Sequence, residues 1–110
     1  MKTFDEFWPF YLGEHSQPLN RVLHFVGSTV GAVMLLYGLA TQRWALLPAS
    51  LVSGYGFAWF GHFVIEGNKP ATFQHPLWSF RGDWKMYALM LTGKLPGELS
   101  RLSITPKAQA

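Results

Sequence analysis

The stretch His24-Phe-Val-Gly-Ser-Thr-Val-Gly-Ala-Val-Met-Leu-Leu-Tyr-Gly-Leu-Ala40 decides the fold, together with its answer, Trp44-Ala-Leu-Leu-Pro-Ala-Ser-Leu-Val-Ser-Gly-Tyr-Gly-Phe-Ala-Trp-Phe-Gly-His62. Phe25 to Ala40 is 16 residues without a charge, and Trp44 to Gly61 is 18. Adding His24 and the uncharged Thr41 and Gln42 brings the first segment to about the 20 residues that cross a bilayer. The turn Thr41-Gln-Arg-Trp44 is too short for anything but antiparallel neighbours. The expected fold is therefore all-α: a small membrane protein with an antiparallel two-helix transmembrane hairpin, spans about 20–40 and 44–66. Because both segments are near the lower limit of length, a buried helical hairpin in a soluble oligomer is the competing architecture.

Composition favours the lipid reading. Of the 110 residues, 49% are hydrophobic and 16% aromatic, while only 14% are charged, against roughly 25% in a soluble domain. Lys2, Arg21, Lys69, Arg81, Lys85, Lys94, Arg101 and Lys107 flank the histidine end of the hairpin, and the turn carries only Arg43. By the positive-inside rule, both termini and the histidines face the cytoplasm of a multi-pass protein. The net charge of +3 suits an anionic lipid surface and is too diffuse for nucleic acid. Without cysteine the chain has no disulfide, thiolate metal site or thiol nucleophile. The opening Met-Lys-Thr-Phe-Asp-Glu lacks the basic-then-apolar order of a signal peptide.

The flanks read as interfacial amphipathic helices. Phe4, Phe7, Trp8, Phe10 and Tyr11 crowd residues 4–12 into a short aromatic helix at the interface, with Pro9 limiting its regularity. Pro18 suits the first turn of the first membrane helix. Gly67-Asn-Lys-Pro70 stops the second. Residues 71–95 carry too many charges to span confidently and read as one or two interfacial helices. Residues 1–95 then form one membrane domain, and 96–110 a frayed basic tail.

The chemistry sits where the hairpin's ends meet. His24 at the entry of one helix and His62 at the exit of the other fall on the same side, and His15 and His75 lie in the flanking polar segments of that side. Asn20, His24, Gly27 and Gly31 share one helical stripe, as do Gly54, Ala58, His62 and Glu66, so small residues lead up to polar ones on both helices. Hairpin packing alone explains the small residues. Polar groups at membrane depth, however, are expensive and mark sites. Two histidines and a carboxylate with open positions form the recognised arrangement for non-haem Fe(II), which His24, His62 and Glu66 can supply. Alternatively, Glu66 accepts from an imidazole N–H, and His15 or His75 completes the ligands. Asp83, between Arg81 and Lys85, reads as solvated or helix-capping and stays outside the site.

The order His15-x-x-x-x-Asn20-x-x-x-His24-x-x-Gly27, then Gly61-His62-x-x-x-Glu66-x-x-x-Pro70-Ala71, resembles the small membrane family once catalogued as domain of unknown function 962. Its fungal members are endoplasmic-reticulum 2-hydroxy fatty acid dioxygenases. The resemblance spans about residues 4–95 and implies Fe(II)-dependent α-oxidation, in which a 2-hydroxy fatty acid and molecular oxygen yield an acid one carbon shorter. It implies His15, His24 and His62 as metal ligands, His75 as an additional one, and Asn20 and Glu66 as the accompanying catalytic positions. Arg21 becomes the candidate to pair with the substrate carboxylate, against its plainer role as a positive-inside anchor. After Pro70-Ala71 the chain departs from longer members, turning amphipathic where they continue into further membrane helices.

Two spans enclose little, so a homo-oligomer, or a lid formed by residues 76–92, is expected. Two other classes compete. A haem protein would use His24 and His62 as axial ligands, and a non-enzymatic membrane adaptor would tolerate loss of its histidines.

Overall fold

The computed structural model describes residues 1–105, and every regular element among them is helical. Helix α1 (Phe4–Gly13) opens at Thr3, whose hydroxyl accepts the Glu6 N–H at 3.2 Å. Helix α2 (Pro18–Thr41) begins on its proline and ends at Gln42, whose left-handed φ of 58° turns the chain back. Helix α3 (Leu46–Phe60) runs antiparallel to α2 and passes directly into a π-helical turn, Gly61–Glu66, closed by Gly67 at φ 72°. A 3-10 turn (Ala71–Phe73) leads to α4 (Pro76–Leu91) and the short α5 (Leu95–Arg101).

Glycine sets the closeness of the α2–α3 pair. A Cβ added at Gly27 would stand 2.6 Å from the Phe57 Cβ, and one at Gly31 would stand 2.9 Å from the Ser50 carbonyl oxygen. The backbones touch because there are no side chains between them, as in membrane helix pairs. Outside that seam α2 is bare: Val22, Val26, Val30, Val33 and Leu36 are exposed, and only 22% of its most apolar stretch is buried.

Helix α2, with 24 residues, is the one described helix long and apolar enough to cross a membrane. The second expected span, 44–66, breaks into a 15-residue α-helix and the π turn. Those residues are also exposed on their outer face, with Leu51, Val52, Phe60, Phe63 and Val64 open.

The flanking helices pack on each other. Instead of lying open, α1 buries Phe4, Phe7, Trp8, Tyr11 and Leu12 in a core shared with Ala71, Met86 and Leu95. Pro9 falls within α1 without ending it. The partner of α1 is α4, 60 residues and more further along, where Gly82 lets the Tyr11 ring approach. Arg81 lies over the Phe4 ring at 4.1 Å and Lys85 over Trp8 at 4.4 Å, so charges that looked interfacial cover aromatic faces. Where a frayed tail is expected from 96, α5 is helical and Leu99, Leu102 and Ile104 pack on the same core. Residues 106–110 of that tail lie outside the described residues.

Candidate metal centre

Three elements each deliver one histidine. His15 follows α1, where its N–H bonds to the Leu12 carbonyl at 3.0 Å; His24 lies in the second turn of α2; His62 lies in the π turn. Their Nε2 atoms converge, with His15 at 3.1 Å from His24 and 3.0 Å from His62. The three residues are 1%, 6% and 2% exposed.

The outer nitrogens explain the convergence. His15 Nδ1–H donates to the Tyr11 carbonyl at 2.7 Å, His24 Nδ1–H to the Asn20 carbonyl at 2.9 Å, and His62 Nδ1–H to Asn68 Oδ1 at 2.7 Å. A carbonyl can only accept, and Asn68 Oδ1 is assigned because its Nδ2 donates to the Glu14 carbonyl at 3.1 Å and carboxylate at 3.0 Å. With the proton on Nδ1 in every ring, each neutral imidazole points a lone pair inward. Three lone pairs facing one another repel unless a cation or a proton sits among them. Burial, then the neighbouring His24 and His62, hold His15 well below the usual histidine range, which disfavours the proton.

A metal ion fits this donor set. All three candidate ligand atoms lie within 4.8 Å of one another. Two nitrogens bound at about 2.1 Å on adjacent corners of an octahedron are about 3.0 Å apart, the separation seen at His15. Hydrogen-bonded outer nitrogens are also how metal-binding histidines are generally oriented.

The other sequence candidates are placed as follows. Glu66 does not point at the three nitrogens. Its carboxylate accepts the Gln17 N–H at 2.6 Å, the Ser16 hydroxyl at 3.2 Å and the Asn20 amide at 3.3 Å, fastening the start of α2 to the π turn. Asn20 is fully buried; its Oδ1 has no hydrogen-bond partner among the described residues and lies against Gly61, where a Cβ would overlap it. Arg21 donates from Nη1 to the carbonyls of His15 at 2.8 Å and Ser16 at 2.9 Å, holding the loop that carries His15. His75 is outside the cluster, edge-on to Phe7 at 5.4 Å and stacked on Trp78 at 5.3 Å.

Three residues of the centre escape sequence reasoning. Asn68 looked only like a helix stop. Tyr11 looked like one interfacial aromatic among several, yet its ring stacks on His15 at 4.1 Å between centroids while its carbonyl fixes that histidine's tautomer. Its hydroxyl donates to Asp83, so Asp83 is neither solvated nor a cap. Burial raises the Asp83 carboxyl to about 7 against the opposing effect of the Tyr11 hydrogen bond. Asp83 also lines a largely apolar cavity of 310 Å³ that has His24 in its wall.

Fold and centre together define a small all-helical protein with a buried three-histidine group able to hold a metal ion. The chain belongs to the Mpo1-like family, whose model, described as 2-hydroxy-palmitic acid dioxygenase Mpo1-like, matches residues 1–95. No curated protein and no solved structure matches it significantly.

Proposed function

We propose that the chain is an Fe(II)-dependent dioxygenase that shortens 2-hydroxy fatty acids by one carbon at a membrane. The observation that carries this reading is the inward convergence of three Nε2 lone pairs, each fixed by an outer hydrogen bond. The family description supplies the substrate class. His15, His24 and His62 would hold the iron. When bound, Fe(II) supplies the Lewis acidity and one-electron chemistry that oxygen activation requires.

The protein's own groups do the rest. Tyr11, Asn20 and Asn68 keep the three imidazoles in the ligating tautomer and orientation. Glu66 and Arg21 fix the loop between α1 and α2, so that His15 reaches the other two. The packed rings of α1 keep bulk water from that side. The exposed apolar faces of α2 and α3 set the molecule in lipid, with α3 and the π turn returning the chain to the side from which α2 entered. The basic flanks orient that side, with both termini, toward the cytoplasm.

The haem alternative loses its geometry here, because His15 fills the space between His24 and His62 that a porphyrin would need. The test is metal content by elemental mass spectrometry on detergent-purified protein loaded anaerobically with Fe(II), followed by oxygen uptake with 2-hydroxyhexadecanoic acid. One iron per chain in the native protein, lost in His62→Ala together with substrate-dependent oxygen uptake, is expected. Equal metal in both proteins, with no uptake in either, would return the chain to the adaptor class.

A further inference from the structure

The cavity beside the histidines has a direction. On α2 its wall runs His24, Gly27, Ser28, Gly31, Ala32 and on to Leu36; on α3, Ser50, Gly54 and Ala58 face them. Twelve residues of helix separate His24 from Leu36, about 18 Å at 1.5 Å each. One end therefore lies at His24 and the other at aliphatic side chains. Helix α4 closes the histidine end with Phe80, Asp83 and Trp84. One turn after Asp83, Tyr87 stacks on Phe25 at 4.7 Å and shares a 2.9 Å hydrogen bond with the Thr29 hydroxyl, which places α4 against the first half of α2.

Among the described residues, Asp83 is the one carboxyl in this wall. The Tyr11 hydroxyl is its hydrogen-bond partner among the described residues and occupies Oδ1. The second oxygen has no hydrogen bond among the described residues. A long aliphatic chain with a polar head fits such a groove in one orientation, tail toward Leu36 and head toward His24. A hydroxyl near that head would meet an acceptor held in place.

We propose that this groove takes the acyl chain of a 2-hydroxy fatty acid and that Asp83 is the specificity-determining residue, accepting the hydrogen bond of the hydroxyl on the second carbon. The inference rests on the substrate class of the proposed function, but not on turnover or on a bound metal. Plain fatty acids fill the groove equally well and leave the Asp83 oxygen unpaired. Buried polar groups left without a partner discriminate more strongly than apolar contacts do.

The test is displacement of a fluorescent fatty acid from the metal-free protein in detergent micelles at about pH 9, above the value of about 7 at which Asp83 titrates, so that its carboxylate only accepts. 2-Hydroxyhexadecanoic acid is expected to bind about tenfold more tightly than hexadecanoic acid, the worth of one hydrogen bond to a fixed carboxyl. 2-Fluorohexadecanoic acid, which has no donor, is expected to match hexadecanoic acid. Tyr11→Phe with Asp83→Leu removes the acceptor without stranding a hydroxyl and should erase the preference for the hydroxy acid. Ala32→Trp should weaken both acids alike by filling the groove. Equal binding of the hydroxy and fluoro acids to the native protein overturns the proposal without needing any variant to fold, as does unchanged binding in Ala32→Trp. Preference for the hydroxy acid without oxygen uptake by the iron-loaded protein would sustain Asp83 and sink the dioxygenase reading.

Discussion

Asn68 Oδ1 accepts the hydrogen bond of His62 Nδ1–H at 2.7 Å while the Asn68 amide N–H groups donate to Glu14. A residue just past the π turn thus links the end of α1 to the orientation of a ring six positions back. Replacing Asn68 with leucine frees the His62 tautomer and removes the tie. Affinity for Fe(II) is expected to fall roughly 10- to 100-fold, the range for lost outer partners of metal-binding histidines. Competition with a coloured chelator measures it; an unchanged dissociation constant would show that Asn68 does not tune the site.

The four histidines divide three to one. His15→Ala, His24→Ala and His62→Ala should each abolish stoichiometric metal. His75→Ala should retain metal and instead lose about 1–2 kcal/mol of stability, because its ring fills a space between Phe7 and Trp78. Metal analysis beside thermal unfolding separates the two effects. Loss of metal in His75→Ala would place it in the centre.

Asp83 gives stability a pH dependence of predictable sign. Its folded-state carboxyl titrates at about 7, raised from 3.8 by burial. The folded protein therefore keeps a proton that the unfolded chain releases, and the stabilising contribution present below about pH 4 is lost as pH rises through about 7. His15, held low, works in the opposite direction in part of that window. The difference between native protein and Asp83→Asn isolates the carboxyl: the variant's melting temperature should gain on the native one from pH 4 to 7. Parallel curves would mean that Asp83 is ionised throughout.

Gly61→Ala should be among the most damaging single-methyl additions in the chain. The new Cβ would overlap the buried Asn20 side chain, which lies on the helix face leading to His24. Overpacking of this kind costs about 1–3 kcal/mol, and here it also pushes His62 away from His15. Both the midpoint of chemical unfolding and metal content should drop. Gly56→Ala, with open space around it, is the control.

The legible part of this molecule was its ends. Uncharged length and a short turn put His24 and His62 on one side, and the small-residue stripes marked the face on which the helices meet. Sequence position gives the end of a helix hairpin on which a side chain lies, but not its rotation or its partner. His75 was on the correct side and turned into an aromatic core. Asp83 was read from Arg81 and Lys85, which stand on another face of α4 and cover Phe4 and Trp8. The burial of α1 depended on α4, a contact across most of the chain that no local periodicity carries. Glu66, four residues after His62, was placed on its face by α-helical spacing.

Glu66 reaches the start of α2 rather than the histidine nitrogens, and residues 61–66 are wound as a π turn, with each bond reaching one residue further than in an α-helix. The turn works as a change of phase between two halves of the chain. Upstream, α3 keeps the register that meshes with α2; downstream, the backbone is rotated so that His62 faces His15 while Glu66 meets residues 16, 17 and 20. A substitution alters one side chain, but deleting one residue here would reset the phase of everything after it. Chain length between Gly61 and Gly67 is therefore as much a determinant of the centre as the identity of its histidines.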